Sequence, residues 1–195
     1  VRTFAPGYPA LVMATGIIAV GLELRGHATA SRGMMVLGIA ALCVHALVLA
    51  WRVARHRDAL AADLRNPGVA FGFFTVIAAM NVTGVRLAMA GHLAWTAALL
   101  AASGALWLVA GYVIPWTAVL GPRPRPGLES ANGTWFTWVV GSQSVAVAAA
   151  ALEPHYHGLR DVLAVVAVVS WSVGVFLYGS AGVFVALRLM LYDLR

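Results

Sequence analysis

The sequence contains no lysine: all 13 of its basic residues are arginine, set against 7 acidic residues in a chain of 195. Charged residues make up only 10% of it, where a soluble domain carries roughly 25%, so a water-soluble globule is excluded. Cysteine is almost missing too. The single Cys43 lies inside an apolar run, and no intrachain disulfide can form. There is no H-E-x-x-H, P-loop or dinucleotide fingerprint, and Ser142 has no evident base partner that would make it a nucleophile. A basic n-region and a small-x-small cleavage site are both lacking ahead of Glu23, so the first apolar run reads as a permanent span and not as a signal peptide. The sequons at Asn81 and Asn132 fall at or within spans, which argues against glycosylation.

What is present is apolar surface. Hydrophobic residues account for 62% of the chain and the mean hydropathy is +0.86. Runs able to cross a bilayer, about 20 residues each, recur along its whole length. Six are predicted: Tyr8 to Leu24, Gly33 to Ala54, Gly68 to Ala90, Leu93 to Leu120, Asn132 to Leu152 and Leu159 to Tyr192. The last is too long for one perpendicular crossing and must tilt or project into water. The runs do not alternate polar with apolar, as barrel strands would, so the expected class is an all-α integral membrane protein with the bilayer as its surroundings.

A pI near 10.4 would suit nucleic acid, but the arginines sit in loops and at helix ends, where the positive-inside rule puts them. With six spans, nine arginines (Arg2, Arg52, Arg55, Arg57, Arg65, Arg123, Arg125, Arg188 and Arg195) share one side and four (Arg25, Arg32, Arg86 and Arg160) the other. Both termini are therefore expected in the cytoplasm, and no nucleic-acid partner is expected. Absent lysine beside abundant alanine is associated with composition-biased bacterial genomes, which suggests a bacterial inner membrane.

Two loops, "RVARHRDALAADLRNPG" and the proline-rich "GPRPRPGLES", divide the chain into three helical hairpins, about 8–54, 68–120 and 132–192. The prolines of the second loop favour an extended polyproline connection. The first helix of each hairpin places glycine beside polar groups within the span: "MATG" around Thr15 and Gly16, "NVTG" around Asn81, Thr83 and Gly84, and "VVGSQS" around Gly141, Ser142, Gln143 and Ser144. In the third hairpin Thr134, Thr137, Gly141, Ser144 and Ala148 step by three, four, three and four residues, so they share one face. Two readings stand. Small and polar residues let membrane helices approach closely and hydrogen-bond across the contact. Alternatively, they line a path for a solute. Repetition in successive hairpins favours the path.

The segments "PGYPALVMATGIIAVGLEL", "NPGVAFGFFTVIAAMNVTGVRL" and "ANGTWFTWVVGSQSVAVAAA" resemble corresponding segments of the tellurite-resistance/dicarboxylate transporter family, which includes yeast malate and sulfite transporters and the slow anion channels of plant guard cells. The resemblance spans nearly the whole chain in order. It implies a ten-helix, pseudo-fivefold fold around a central pore lined by the first helix of each of five hairpins, in a homotrimer whose protomers each have their own pore. It also implies transport of small anions without a cofactor. By that resemblance Thr15, Gly16, Asn81, Thr83, Gly84, Thr137, Gly141, Ser142, Gln143 and Ser144 line the path. Six helices of ten, and an opening Val1, lead to the expectation of an incomplete chain whose occluding phenylalanine, borne by the ninth helix in the family, is not among these residues. Phe71, Phe73 and Phe74 read as core or lipid contacts.

Glu23 and Arg86 lie toward the arginine-poor side. A charge within a span costs a few kcal/mol unless it pairs or snorkels, so Arg86 either pairs with Glu23 or supplies an outer-mouth charge that concentrates anions. Arg86 shares a face with Thr75 and Ala79, whereas Asn81 and Gly84 share one with Ile77, and either face could line the path. The rival class is a six-helix haem or metal redox protein using His45, His92 or the His155 and His157 pair. That pair stands in a loop between Pro154 and Gly158, which makes it a weak ligand motif.

Overall fold

A computed structural model describes residues 4–120 and 128–192. Its regular elements are helices: α1 (Ala10–Leu24), α2 (Ala28–Arg55), α3 (Arg57–Arg65), α4 (Phe74–Met89), α5 (Leu93–Ile114), α6 (Phe136–Leu152) and α7 (Arg160–Leu191), and no strand occurs among the described residues. The proline-rich connection falls largely in residues 121–127, outside the described ones, as do Arg2, Arg123, Arg125 and Arg195.

The three hairpins are α1 with α2, α4 with α5, and α6 with α7. Segments Ala28–Arg55, Ala70–Met89, Leu93–Thr117, Gly133–His155 and His157–Leu191 are long and apolar enough to cross a membrane. The first differs from expectation. α1 has 15 residues, roughly 22 Å at 1.5 Å per residue, short of a core of about 30 Å. Pro9 stands at its N-cap, and residues 6–9 ahead of the helix form a turn. At the other extreme α7 has 32 residues, about 48 Å of helix, and overshoots the same core.

Burial separates the helices into two rows. The α4 span is 67% buried and the α6 span 56%, whereas the α2 span is 6% buried and those of α5 and α7 are each 17%. The outer row exposes Leu47, Trp95, Leu108, Val168 and Phe176, a surface that water would penalise and lipid accepts. Within the inner row α4 lies between α1 and α6.

Corresponding turns repeat. Gly26 and Gly91 both take positive φ, 81° and 82°, and close the ends of α1 and α4. His27 N donates to Leu22 O and His92 N to Leu87 O, each at 2.9 Å; the left-handed residue is what lets the chain reverse there. At the opposite end each inner helix of hairpins two and three starts as a 3₁₀ turn, Ala70–Phe73 and Gly133–Trp135. An asparagine precedes each: Gly68 N donates to Asn66 Oδ1 at 3.0 Å and Thr134 N to Asn132 Oδ1 at 2.8 Å. Phe71 and Phe74 are buried there and pack with Trp138 at ring-centroid distances of 5.7 and 5.8 Å, so the core reading of these two phenylalanines holds. Pro115, lacking an N–H, turns the end of α5 into a π-helical turn, Pro115–Val119.

Two differences from the sequence reading concern helix starts and loops. α2 begins five residues before Gly33, which places Ser31 in its first turn. The first polar loop contains α3, an amphipathic helix with Asp58 in its first turn and Arg65 in its last, favourable at those ends. Leu64 of α3 packs on the core.

Candidate functional site

Between α1, α4 and α6 runs a groove of about 280 Å³. α1 gives it Met13, Ile17 and Val20, and α4 gives it Ala78, Val82 and Val85. α6 adds Val140, Val147, Gln143 and Ser144, the last two supplying its polar side chains. The α4 residues recur at i, i+4 and i+7, a stripe distinct from both candidate faces. Thr75, Ala79 and Arg86 are buried, as are Ile77, Asn81 and Gly84.

The remaining sequence-predicted residues lie away from this groove, most of them at contacts between helices. Thr15 Oγ1 donates to Leu11 O at 2.9 Å, and its methyl group faces Gly38 of α2. Gly16 lets α1 approach α4: a Cβ there would stand 2.7 Å from Val82 Cγ1. Gly84 O accepts from Thr96 Oγ1 of α5 at 2.8 Å. Thr83 lines a separate cavity with His92 and Trp95, and its buried hydroxyl has no hydrogen-bond partner among the described residues.

Asn81 is the polar centre. Its Nδ2 donates to Ser144 Oγ of α6 at 3.1 Å, and its Oδ1 accepts from Ser103 Oγ of α5 at 2.7 Å, so one side chain ties three helices. On α6, Thr137 Oγ1 donates to Phe71 O, and Gly141 lies against Phe74, where a Cβ would be 3.0 Å from Cδ1. Ser142 Oγ accepts from Trp107 Nε1 of α5 at 2.9 Å. Gln143 bends toward α7, donating from Nε2 to Trp171 O at 3.3 Å. Gly174 makes room for it, since a Cβ there would meet Nε2 at 2.5 Å. The shared face of Thr137, Gly141 and Ser144 is thus the seam between α6 and α4.

Arg86 pairs with Glu23, Nη2 to Oε2 at 2.7 Å, and its side chain is 3% exposed against 29% for the carboxylate. Its Nε donates to Ser31 Oγ at 2.7 Å, and Ser31 Oγ donates to Ala19 O at 2.7 Å. Arg86 thereby fixes α4 to both helices of the first hairpin. Ser31 was not legible in the sequence, because it reads as a loop residue until α2 is known to start at Ala28.

His45 bonds through Nδ1 to Ala41 O at 2.7 Å, His92 stands at the N-cap of α5, and His155 and His157 lie in successive 3₁₀ turns. Among the described residues no three His, Cys, Asp or Glu side chains come together as a metal-binding group.

Paired helices in two rows, with an inner groove and outward apolar faces, define a multi-pass membrane protein. The chain belongs to the voltage-dependent anion channel family (SLAC1), whose model matches residues 3–195. This agrees with the resemblance carried by the three inner-helix segments, and small anions are the substrates of that family. Comparison with curated proteins and with solved structures gave no match.

Proposed function

We propose that anions cross along the groove between α1, α4 and α6. The observation that carries this reading is that the first helices of three successive hairpins meet along one groove whose lining is aliphatic except for Gln143 and Ser144. Such a lining binds an anion weakly, and weak contact allows exit as readily as entry. Thr15, Gly16, Asn81, Gly84, Thr137, Gly141 and Ser142 serve this path indirectly, by spacing and joining the helices around it, and Thr83 lines the separate cavity beside His92 and Trp95. Two further hairpins of the ten-helix fold complete the wall in this reading, and each protomer of a homotrimer has its own path. The nine-to-four arginine distribution supports cytoplasmic termini in a bacterial inner membrane. Inorganic anions, tellurite, sulfite and C4-dicarboxylates are the candidate cargoes.

The test introduces bulk into the groove. Ile17 and Val147 are 54% and 55% exposed, so Ile17→Trp and Val147→Trp leave helix contacts intact. In the full-length protein reconstituted into liposomes, each should cut anion flux per folded molecule by at least about tenfold. Unchanged flux with normal insertion would reject the path. Repeating the measurement with and without a pH gradient separates a channel from a proton-coupled carrier.

A further inference from the structure

On the outer row, two cavities of about 760 and 440 Å³ lie between α2 and α5 over α4. They share Leu42, Cys43 and Leu99, so they form one groove. Its wall is aliphatic at Leu42, Ala46, Leu49, Met80 and Leu99, and it ends at Arg52 and Arg57. From Leu42 to Arg52 is ten residues of α2, about 15 Å of rise, which equals one leaflet of a hydrocarbon core about 30 Å thick.

The arginine end has the features of a membrane interface. Trp51 is 55% exposed, with the Arg55 guanidinium over its ring at 5.6 Å, an arrangement typical of the headgroup boundary. Arg52 is ion-paired with Asp63 of α3. Arg57 is exposed, and its Nε donates to Val53 O at 2.9 Å, which turns the side chain back toward the groove mouth. We propose that this groove binds an anionic phospholipid, one acyl chain lying between α2 and α5 and the phosphate at Arg57.

Charge selects lipid over a second copy of the chain. Arg55 and Arg57 stand together at the mouth of the groove, so the same mouth of a second copy is repelled there where an anionic headgroup is attracted, whatever contacts copies make elsewhere on their surfaces. Basic pockets between membrane helices hold acidic headgroups for the same reason, each arginine adding on the order of 1 kcal/mol. The proposal does not depend on the route taken by the anions.

Cys43 is the single cysteine, is exposed and lines both cavities, so its alkylation reports occupancy of the groove. With the purified full chain in detergent, phosphatidylglycerol should slow maleimide reaction at Cys43 more than phosphatidylcholine of the same acyl chains. Arg57→Gln should reduce that preference about fivefold, the equivalent of one arginine's attraction, and Arg57→Lys should retain it. Because Arg57 is exposed at the helix boundary, both variants keep the fold, which a monodisperse gel-filtration peak verifies. Equal protection by the two lipids, or none by either, overturns the proposal. So does protection by inorganic phosphate alone, which means a free-anion site. Protection without lipid that rises with protein concentration assigns the groove to a second copy and overturns it equally.

Discussion

The two sides of α6 are made of different chemistry. Toward α4 it turns Thr137, Gly141 and Ser144, and every hydroxyl there is hydrogen-bonded. Toward the groove it turns Val140 and Val147, aliphatic and partly open. Lipid tails are as apolar as leucine, so no hydrophobic force drives helices together within a bilayer, and small and polar residues take over that task. The polar side is therefore the glue, and in the proposed path it is the aliphatic side, with Gln143 and Ser144 along its edge, that faces a solute which must not be held too tightly.

The strongest way to break this division is to remove charge compensation from the polar side. Glu23→Ala strips the partner from a buried Arg86, and loss of one member of such a pair costs on the order of 3 kcal/mol or more. Folded yield and thermal midpoint should collapse together. If instead yield holds and flux falls only at low salt, where a surface charge is least screened, Arg86 acts as an outer-mouth charge and the division is wrong.

Gly141→Leu comes next. Its Cβ would already press on Phe74, whose ring is stacked with Phe71 and Trp138 and cannot yield. Overpacking of this kind costs about 1 to 3 kcal/mol. Folded yield should drop while flux per folded molecule stays near normal, the reverse of the Val147→Trp result. A selective loss of flux per molecule would return Gly141 to the path lining.

Asn81→Ala should cost less, about 1 kcal/mol. Ser103 and Ser144 keep their bonds to Leu100 O and Gly141 O, so neither hydroxyl is stranded. The added mutation Ser144→Ala should then cost little more. A double mutant whose loss is the full sum of two independent effects would show that the two residues are not coupled.

Topology should respond without any energetic cost. In a Cys43→Ser background, cysteines at Ser130 and Gly158, which flank α6, should label from opposite sides of the membrane. Labelling of both from one side would contradict a single crossing by α6.

The hairpins were legible because long apolar runs have one physical meaning in a chain so poor in charge, and a turn such as Asn66-Pro67-Gly68 punctuates them. α3 was not legible: Leu60 and Leu64 sit one helical turn apart, but within a segment whose charge reads as loop. The face of α4 that borders the groove was hidden for a deeper reason. Polarity has two causes inside a membrane, contact with solute and contact with another helix. A search for polar residues finds both, and passes over Ala78, Val82 and Val85, which carry no polarity at all.

The helix-entry turns have a consequence for how the protein is made. Thr75 Oγ1 donates to Pro6 O at 3.2 Å. One hairpin later Trp135 Nε1 donates to Pro67 O at 3.2 Å and Thr134 Oγ1 to Gly68 O at 3.3 Å. In each case the acceptor belongs to the hairpin that precedes the donor in the chain. At these entry turns the receiving carbonyl is therefore synthesised before its donor, so each new hairpin meets a finished neighbour, whereas the deeper bonds from Asn81 to Ser144 and from Trp107 to Ser142 wait for the later hairpin to arrive. The hairpins thus add side by side in the order in which they are synthesised, the entry turns docking on what is already made and the deeper polar bonds closing afterwards.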